Sequence, residues 1–132
     1  MKRYVYPAVF TPEKNGQYSV NFPDLEGCYT CGDDLADAIF MAEDVLAFTL
    51  YRYEKEKTEI PDPSRQDDLK LSEGEFTNLV VCDTLKYRKM HDKTAVKKTL
   101  TIPAWLNTCA QEAGVNFSGV LQEALVERLQ LG

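Results

Sequence analysis

Two cysteines and two carboxylates lie close together in the segment GCYTCGDD, residues 27–34. A C-x-x-C spacing occurs in thiol–disulfide enzymes and in half of many zinc sites. In a redox centre the cysteine pair stands at the N-terminus of a helix, where the helix dipole lowers the thiol pKa. Whether this segment could do redox or metal chemistry therefore depends on the local structure around Cys28 and Cys31.

The segment that carries these cysteines has the pattern of a strand. In an extended chain, positions i and i+3 such as Cys28 and Cys31 face opposite sides roughly 10 Å apart, which is too far for a disulfide. A zinc site needs about four ligands. Cys82 and Cys109 stand far apart in the sequence, and His91 is the single histidine. We therefore predict free cysteines, no metal and no cofactor.

Clustered carboxylates could instead hold the two metal ions of an RNase H-type nuclease. Such a site requires several acids that converge from strands and a helix. The acids of this chain are scattered: Asp24 is in a turn, Asp83 stands alone, and Asp33 and Asp34 directly precede a helix. We predict no catalytic residue and no enzyme activity, and a metal-dependent RNase H-like nuclease stays the less favoured alternative.

The first elements that could position these residues form a hairpin. Residues 3–10, RYVYPAVF, and 17–22, QYSVNF, are rich in aromatic and β-branched side chains. Asn15-Gly16 between them is typical of a hairpin turn. Pro7 interrupts the first run, which predicts an edge position or a bulge at that point.

A helix and two more strands follow the hairpin. CYTC, 28–31, predicts a third strand, and FTNLVVCDTLKY, 76–87, predicts a last one. Between them the pattern predicts a helix over 35–57, with Asp34 as N-cap and Asp37 in the capping-box position. The apolar stripe of that helix consists of Leu35, Ala38, Ile39, Ala42, Leu46, Thr49, Leu50 and Tyr53.

Charge is unevenly distributed along the chain. Residues 1–92 carry 11 Lys and Arg against 18 Asp and Glu, a net charge of −7, whereas residues 93–132 carry 4 against 3, a net charge of +1. An acidic body repels nucleic acid and attracts basic proteins, whereas a near-neutral tail tolerates phosphate. The sequence has no signal-peptide pattern and no long apolar run, so we predict a cytoplasmic protein that crosses no membrane.

The tail begins with a predicted strand, residues 97–102, whose two faces differ. One face carries Lys97, Thr99 and Thr101 and is small, polar and cationic, while the other is mainly apolar. Pro103 then suits the first position of a helix. This strand would present its polar face to a ligand and its apolar face to a core.

Two short helices complete the tail. Gly114 predicts the end of the first helix, and Asn116 predicts the N-cap of the second. A strand and two helices of about 33 residues cannot bury their apolar faces alone, so we predict an intertwined dimer whose strands pair antiparallel. The predicted dimerisation residues are Leu100, Ile102, Leu106, Val120, Leu121 and Leu125.

A two-stranded ribbon of this kind fits the major groove of DNA. Lys97, Thr99 and Thr101 of each chain would project together toward the base edges. At the start of the second helix, after Asn116, the free N–H groups of Phe117 and Ser118 could hold a phosphate. The alternative is a helical hairpin that only dimerises.

Two resemblances cover nearly the whole chain. Residues 97–129 look like a ribbon–helix–helix DNA-binding module, and residues 4–90 resemble the N-terminal domain of HicB-family antitoxins. The second resemblance is carried by the hairpin, by FPDLEGCYTCGDDLADAI and by IPDPS. The family pattern is met by Pro23, Asp24, Leu25, Gly27, Cys28, Thr30, Gly32 and Asp33. Cys31 falls on a variable position, which favours an incidental C-x-x-C.

The resemblance implies an α+β fold: a degraded RNase H-like domain, with an antiparallel sheet packed on a helix, followed by a ribbon–helix–helix module. The predicted division is 1–90 for the HicB-like domain, 91–96 for a linker and 97–132 for the DNA-binding and dimerisation domain. The implied partners are a HicA-type toxin, which is a small basic ribonuclease that cuts mRNA, and the operator DNA of the shared operon, which the antitoxin autorepresses.

The sequence assigns the toxin-binding residues by charge alone. The outward acids of the long helix, Asp37, Glu43 and Asp44, are the candidates, and we expect the toxin to be inhibited by occlusion. A solo ribbon–helix–helix regulator without a toxin stays open as an alternative. The chain is predicted to form a homodimer, with a tetramer left open.

Overall fold

The predicted hairpin begins the fold in the computed structural model, which describes residues 3–132. Strands β1 (Arg3–Pro12) and β2 (Tyr18–Asn21) pair antiparallel. Gly16 has a φ of 84°, in the left-handed region that glycine adopts without strain. Its N–H donates to the carbonyl oxygen of Glu13 at 3.2 Å, which closes the turn. The hairpin prediction is confirmed.

Two further strands complete an antiparallel sheet of order β3-β2-β1-β4, in which β3 spans Tyr29–Gly32 and β4 spans Phe76–Asp83. Pro7 of β1 lies opposite Leu79 of β4, whereas the pairing of β1 with β2 begins at Val9. Among the described strands, β4 is thus the single neighbour of β1 at Pro7. β1 is an inner strand of the sheet, and the predicted edge position holds only locally, at the end of β1 that extends past β2.

A single long helix, α1 (Leu35–Glu56), packs on one face of this sheet. Its N-cap is Asp34, whose carboxylate accepts a hydrogen bond from the N–H of Asp37 at 2.8 Å. The carboxylate of Asp37 in turn accepts the N–H of Asp33, one residue before the cap, at 2.9 Å. The predicted cap is confirmed, and the reciprocal bond of the capping box is displaced by one residue.

The core lies between the sheet and α1. It is built from alternate residues of β1, from β2 and β4, and from small and aliphatic positions of the helix, as period-2 and period-3.6 patterns require. The buried apolar residues are Tyr6, Ala8, Phe10, Val20, Phe22, Leu25, Cys28, Ala38, Ala42, Leu46, Ala47, Leu50, Val80 and Cys82. All of them belong to the first part of the chain.

Gly32 lies where β3 and α1 touch backbone to backbone. A Cβ atom at this position would stand 2.2 Å from the backbone nitrogen of Ala38. We expect Gly32→Ala to push strand and helix apart and to lower the free energy of unfolding by about 3 kcal/mol or more, measured by urea denaturation. Gly132→Ala, where a Cβ would meet nothing within 4 Å, is the control. Equal midpoints for both variants would contradict the expectation.

The predicted stripe of α1 is wrong at two positions. Leu35 is 41% exposed and Ile39 is 37% exposed, whereas Ala47, outside the predicted stripe, is buried. Both exposed residues lie in the first turns of α1, which contact β3 at the edge of the sheet through Ala38. Because β3 is an edge strand of the sheet, side chains on one side of these helical turns extend beyond β3 and stay exposed to water.

The last predicted strand, 76–87, is wrong in its final four residues. The strand ends at Asp83, and α2 spans Thr84–His91. The Asp83 carboxylate caps α2 by accepting hydrogen bonds from the N–H groups of Leu85 at 3.0 Å and Lys86 at 3.2 Å. An aspartate at the end of a strand thus starts a helix whose sequence has little apolar periodicity.

The chain packs into two units, one that ends at Thr94 and one that spans Ala95–Gly132. This division falls inside the segment predicted as a linker, 91–96. The last residue of α2, His91, is the first residue of that segment. The first unit carries the sheet, α1 and α2.

The second unit contains two helices, α3 (Ala104–Glu112) and α4 (Phe117–Arg128). Gly114 follows α3 with a φ of 69°, which confirms its predicted role in ending the helix. Asn116 is the N-cap of α4, and its side-chain oxygen accepts the N–H of Gly119 at 3.2 Å, as predicted. Pro103 precedes α3 as the capping residue, so the helix starts one residue later than predicted.

Candidate nucleic-acid and partner-binding surfaces

The segment predicted to read DNA, residues 97–102, is not helical. It has no regular secondary structure, so the strand predicted over 97–102 is not observed; a strand requires hydrogen bonds to a neighbouring strand. The side chains of Lys97, Thr99 and Thr101 are all exposed. Lys98, Leu100 and Ile102 are exposed as well, so the paired ribbon and its cationic face both stay predictions.

The start of α4 was predicted to hold a phosphate. The side-chain oxygen of Asn116 accepts the N–H of Gly119, which identifies Asn116 as the N-cap of α4. Phe117 and Ser118 therefore lie in the first turn of the helix, where a backbone N–H has no earlier helical carbonyl to bond. All three of the predicted residues, Asn116, Phe117 and Ser118, are exposed. They lie in the same unit as Lys97, and their role in DNA binding stays a prediction.

The apolar side chains of the second unit face water in the single chain. No residue of 95–132 is buried. Among the predicted dimerisation residues, Leu121 is half-buried, and the others are 41% to 63% exposed: Leu100, Ile102, Leu106, Val120 and Leu125. Sequence reasoning missed Trp105, which is 68% exposed. Apolar exposure of this extent is what the predicted dimer would cover, and the dimer stays a prediction.

The three predicted toxin-binding acids differ in their surroundings. Asp37 accepts the N–H of Asp33 and so has a role in capping α1. Glu43 and Asp44 are exposed, and they line a groove between α1, α2 and the end of β4. The prediction for Glu43 and Asp44 is untested by this geometry, whereas Asp37 has a structural function of its own.

The cysteines of the C-x-x-C segment have different environments. Cys28 is buried and accepts a hydrogen bond from the hydroxyl of Thr49 at 3.4 Å, while Cys31 is exposed. Burial raises the pKa of the Cys28 thiol, which is opposite to what a redox thiolate needs. The described cysteines are free, and residues 3–132 contain no group of three His, Cys, Asp or Glu side chains able to hold a metal ion.

The residues of the family pattern hold the fold together. The Asp24 carboxylate accepts hydrogen bonds from the hydroxyl of Ser64 and from its N–H, the latter at 2.9 Å. This pair ties the turn after β2 to the connection after α1. Gly27 has a φ of 70°, and Leu25 is buried. Asp24, Leu25 and Gly27 of the pattern PDLEG therefore have structural roles in this fold.

Glu54 of α1 forms a largely buried polar centre that sequence reasoning missed. Its carboxylate accepts hydrogen bonds from the hydroxyls of Tyr4 at 2.8 Å and Thr84 at 2.9 Å and from the guanidinium of Arg88 at 3.3 Å. Its side chain is 9% exposed. Burial and the Glu54 carboxylate raise the pKa of Tyr4 to about 12. One carboxylate thus joins β1, α1 and α2.

The charge of Glu54 makes the stability of the first unit depend on pH. Burial raises the pKa of this carboxyl, but hydrogen bonds from Tyr4 and Thr84 are among the interactions that lower it, and the net shift is downward from 4.5. A depressed folded-state pKa contributes stability that is present above the unfolded pKa and lost as the pH falls through the folded one. The contribution therefore disappears in the acid range.

We expect Glu54→Gln to lower the free energy of unfolding by about 2 kcal/mol near neutral pH, because Arg88 loses its charged acceptor. The difference from the unsubstituted chain should shrink as the pH falls below 4.5, the ordinary pKa of a glutamate. Urea denaturation at several pH values measures both. Glu56→Gln, on an exposed side chain of the same helix, is the matched control. A difference independent of pH would show that the Glu54 charge is unimportant.

The comparisons with known proteins place the chain among the antitoxins of bacterial toxin–antitoxin systems. The model of the family described as "HicB_like antitoxin of bacterial toxin-antitoxin system" matches residues 6–124. The chain therefore belongs to the HicB-like antitoxin family.

No helix among residues 3–132 is long and apolar enough to cross a membrane.

Curated antitoxins are similar to about half of this chain. The antitoxin HicB 1 of Photorhabdus laumondii is 40% identical over 69 residues, covering 51% of this chain and 44% of the relative. The antitoxin HicB of Escherichia coli K12 is 35% identical over 65 residues, covering 48% of this chain and 47% of the relative. The chain spans about half the length of the curated relatives it matches.

Solved structures of similar fold include toxin–antitoxin assemblies. A chain of the toxin–antitoxin complex from Streptococcus pneumoniae aligns with a TM-score of 0.63 and 28% identity, covering 96% of this chain and 99% of that one. The antitoxin HicB3 aligns with a TM-score of 0.51 and 27% identity, covering 95% of this chain and 97% of that one. A chain of the HicA3 and HicB3 complex aligns with a TM-score of 0.50 and 27% identity, covering 61% of this chain and 99% of that one. The mixed α/β fold with its four-stranded antiparallel sheet agrees with these neighbours.

Proposed function

We propose that this protein neutralises a HicA-type toxin through its first unit and represses its own operon through its second. Membership of the antitoxin family carries this proposal, and the similarity to a chain of the HicA3 and HicB3 complex supports the choice of toxin. The first unit is related to RNase H in this proposal but acts by binding alone. Residues 1–92 have a net charge of −7, which attracts a basic partner.

Inhibition works by occlusion and requires no covalent step. The first unit covers the active site or the RNA-binding surface of the toxin with an acidic face. The carboxylates that could be suspected of catalysis have structural partners instead: Asp24 binds Ser64, Asp34 caps α1 and Asp83 caps α2. Attraction between exposed charges is screened by salt, so association slows as ionic strength rises.

The second unit is a ribbon–helix–helix module in this proposal. Two copies pair residues 97–102 into a ribbon, bury the exposed leucines of α3 and α4 between them, and direct Lys97, Thr99 and Thr101 toward base edges. The support is the arrangement of two short helices after a segment of alternating sequence, with apolar side chains that one copy leaves exposed to water. The first turn of α4 binds a backbone phosphate.

Co-expression with the adjoining reading frame tests the proposal. That gene product alone should arrest growth, and this chain should restore growth and co-purify with it. A chain that ends at Thr94 retains the core of the first unit and should still bind the toxin, but it should lose operator binding. If the neighbouring product is harmless and does not co-purify while the operator is still bound, the chain is a solo regulator.

A further inference from the structure

A groove in the first unit lies between α1, α2 and the end of β4 and has a volume of about 450 Å³. It runs along one face of α1, because residues 40, 43, 44 and 47 follow the three- and four-residue spacing of a helix. We call it the acidic groove. The lining residues that matter here are Phe40, Glu43, Asp44, Val81, Tyr87 and Met90.

The floor and walls of the acidic groove carry large apolar side chains that remain in water. Phe40 is 66% exposed, Val81 is 54% exposed and Met90 is 59% exposed. Three such side chains from three different elements form one contiguous site rather than scattered surface residues. Grouped apolar exposure with a polar rim is typical of a protein-binding surface.

The rim of the acidic groove offers two carboxylates for a cation. Glu43 and Asp44 are exposed, and neither forms an ion pair with the residues that the structure describes. Asp44 stands close enough to Tyr87 for its charge to act on it: burial and the Asp44 carboxylate both raise the pKa of the Tyr87 hydroxyl. Arg3 and Lys86 also line the groove. A cationic side chain of a ligand must therefore lie next to Glu43 and Asp44 and away from these two basic residues.

We propose that the acidic groove binds a segment of the toxin in which an apolar side chain is flanked by lysine or arginine. The apolar side chain packs between Phe40, Val81 and Met90, and the cation pairs with Glu43 and Asp44. This inference rests on the proposed function and names the surface that performs it. A net charge of −7 over residues 1–92 disfavours the two other occupants, nucleic acid and a second copy of the same acidic unit.

Phe40→Ser tests the apolar part of the groove. Removing a central aromatic anchor should weaken toxin binding by about 30-fold or more. Tyr29→Ser is the matched control, because Tyr29 is 69% exposed on β3, outside the groove. It should change the affinity by less than about threefold. Binding is measured by calorimetry with the purified product of the adjoining gene, and thermal unfolding verifies that both variants are folded.

A charge reversal tests the rim. Glu43→Lys combined with Asp44→Lys should lower the association rate by about tenfold and reduce its salt dependence. Asp67→Lys combined with Asp68→Lys is the control, because it makes the same change in net charge at another exposed acidic pair. Equal rates for the two double variants would show that total charge, rather than this groove, governs association.

The outcomes separate this inference from the proposed function. If the wild-type chain does not bind the toxin, both fall. If the wild-type chain binds and Phe40→Ser binds equally well, the groove is not the toxin site, and the antitoxin function stands. If Phe40→Ser changes the molar mass of the chain alone in light scattering, the groove is an interface between copies, which also overturns the inference.

Discussion

Leu121→Asp is expected to convert the chain into a monomer. Leu121 belongs to the proposed inner face of α4, and the apolar residues around it, such as Leu125, stay exposed unless a second copy covers them. An unpaired carboxylate buried in such an interface costs about 3 to 5 kcal/mol, and a symmetric dimer contains two of them. The dissociation constant should therefore rise by at least about a thousandfold.

Sedimentation equilibrium measures this change directly. Glu123→Lys is the control, because Glu123 is exposed on the same helix, and it should leave the molar mass unchanged. Loss of the dimer should also abolish operator binding, because one strand cannot form a ribbon. If Leu121→Asp keeps the molar mass of the wild-type chain, the second unit does not hold the copies together, and the ribbon–helix–helix proposal is wrong.

Lys97→Ala and Thr99→Ala are expected to remove most of the affinity for the operator. A base contact contributes about 1 to 3 kcal/mol, and each substitution removes one contact from each half of the dimer. The affinity should fall by roughly 30-fold to 10,000-fold for each variant, with the dimer and the toxin complex intact. Fluorescence anisotropy with the promoter fragment of the operon, at one fixed salt concentration, provides the measurement.

Lys98→Ala is the matched control for Lys97→Ala. The two substitutions remove the same charge from neighbouring positions, but in a strand successive side chains point to opposite faces. Lys98 should therefore contribute through long-range attraction alone and should cost much less affinity. If both variants lose the same affinity, the effect is one of net charge, and the alternating face of residues 97–102 does not read DNA.

Local patterns predicted most of the elements correctly. Asn15-Gly16 predicted the hairpin turn, Asp34 and Asn116 predicted the starts of α1 and α4, and Gly114 predicted the end of α3. Each of these signals acts within a few residues through a backbone dihedral angle or one side-chain hydrogen bond. Such signals have the same meaning in any fold, so they can be read without the tertiary structure.

The candidate sites were predicted less completely. Alternation and charge indicated Lys97, Thr99 and Thr101, and the outward side of the helix indicated Glu43 and Asp44, but neither showed what stands beside them. The acidic groove requires α2, whose first four residues the sequence pattern had assigned to a strand. A surface formed by three elements can be identified only when the packing of those elements is known.

The sequence by itself determined the hairpin of β1 and β2, most of the apolar repeat of α1, the caps of α1 and α4, and the split of charge between the two parts of the chain. The helix after Asp83 has a local signal, the Asp83 cap, which the sequence analysis did not use. Only the tertiary structure decided that the Glu54 side chain is largely buried and joins three elements. The physical reason is range: Glu54 meets Thr84 and Arg88 across 30 and 34 residues of sequence. Contacts of that separation arise from the packing of the sheet against its helices, and no local period encodes them.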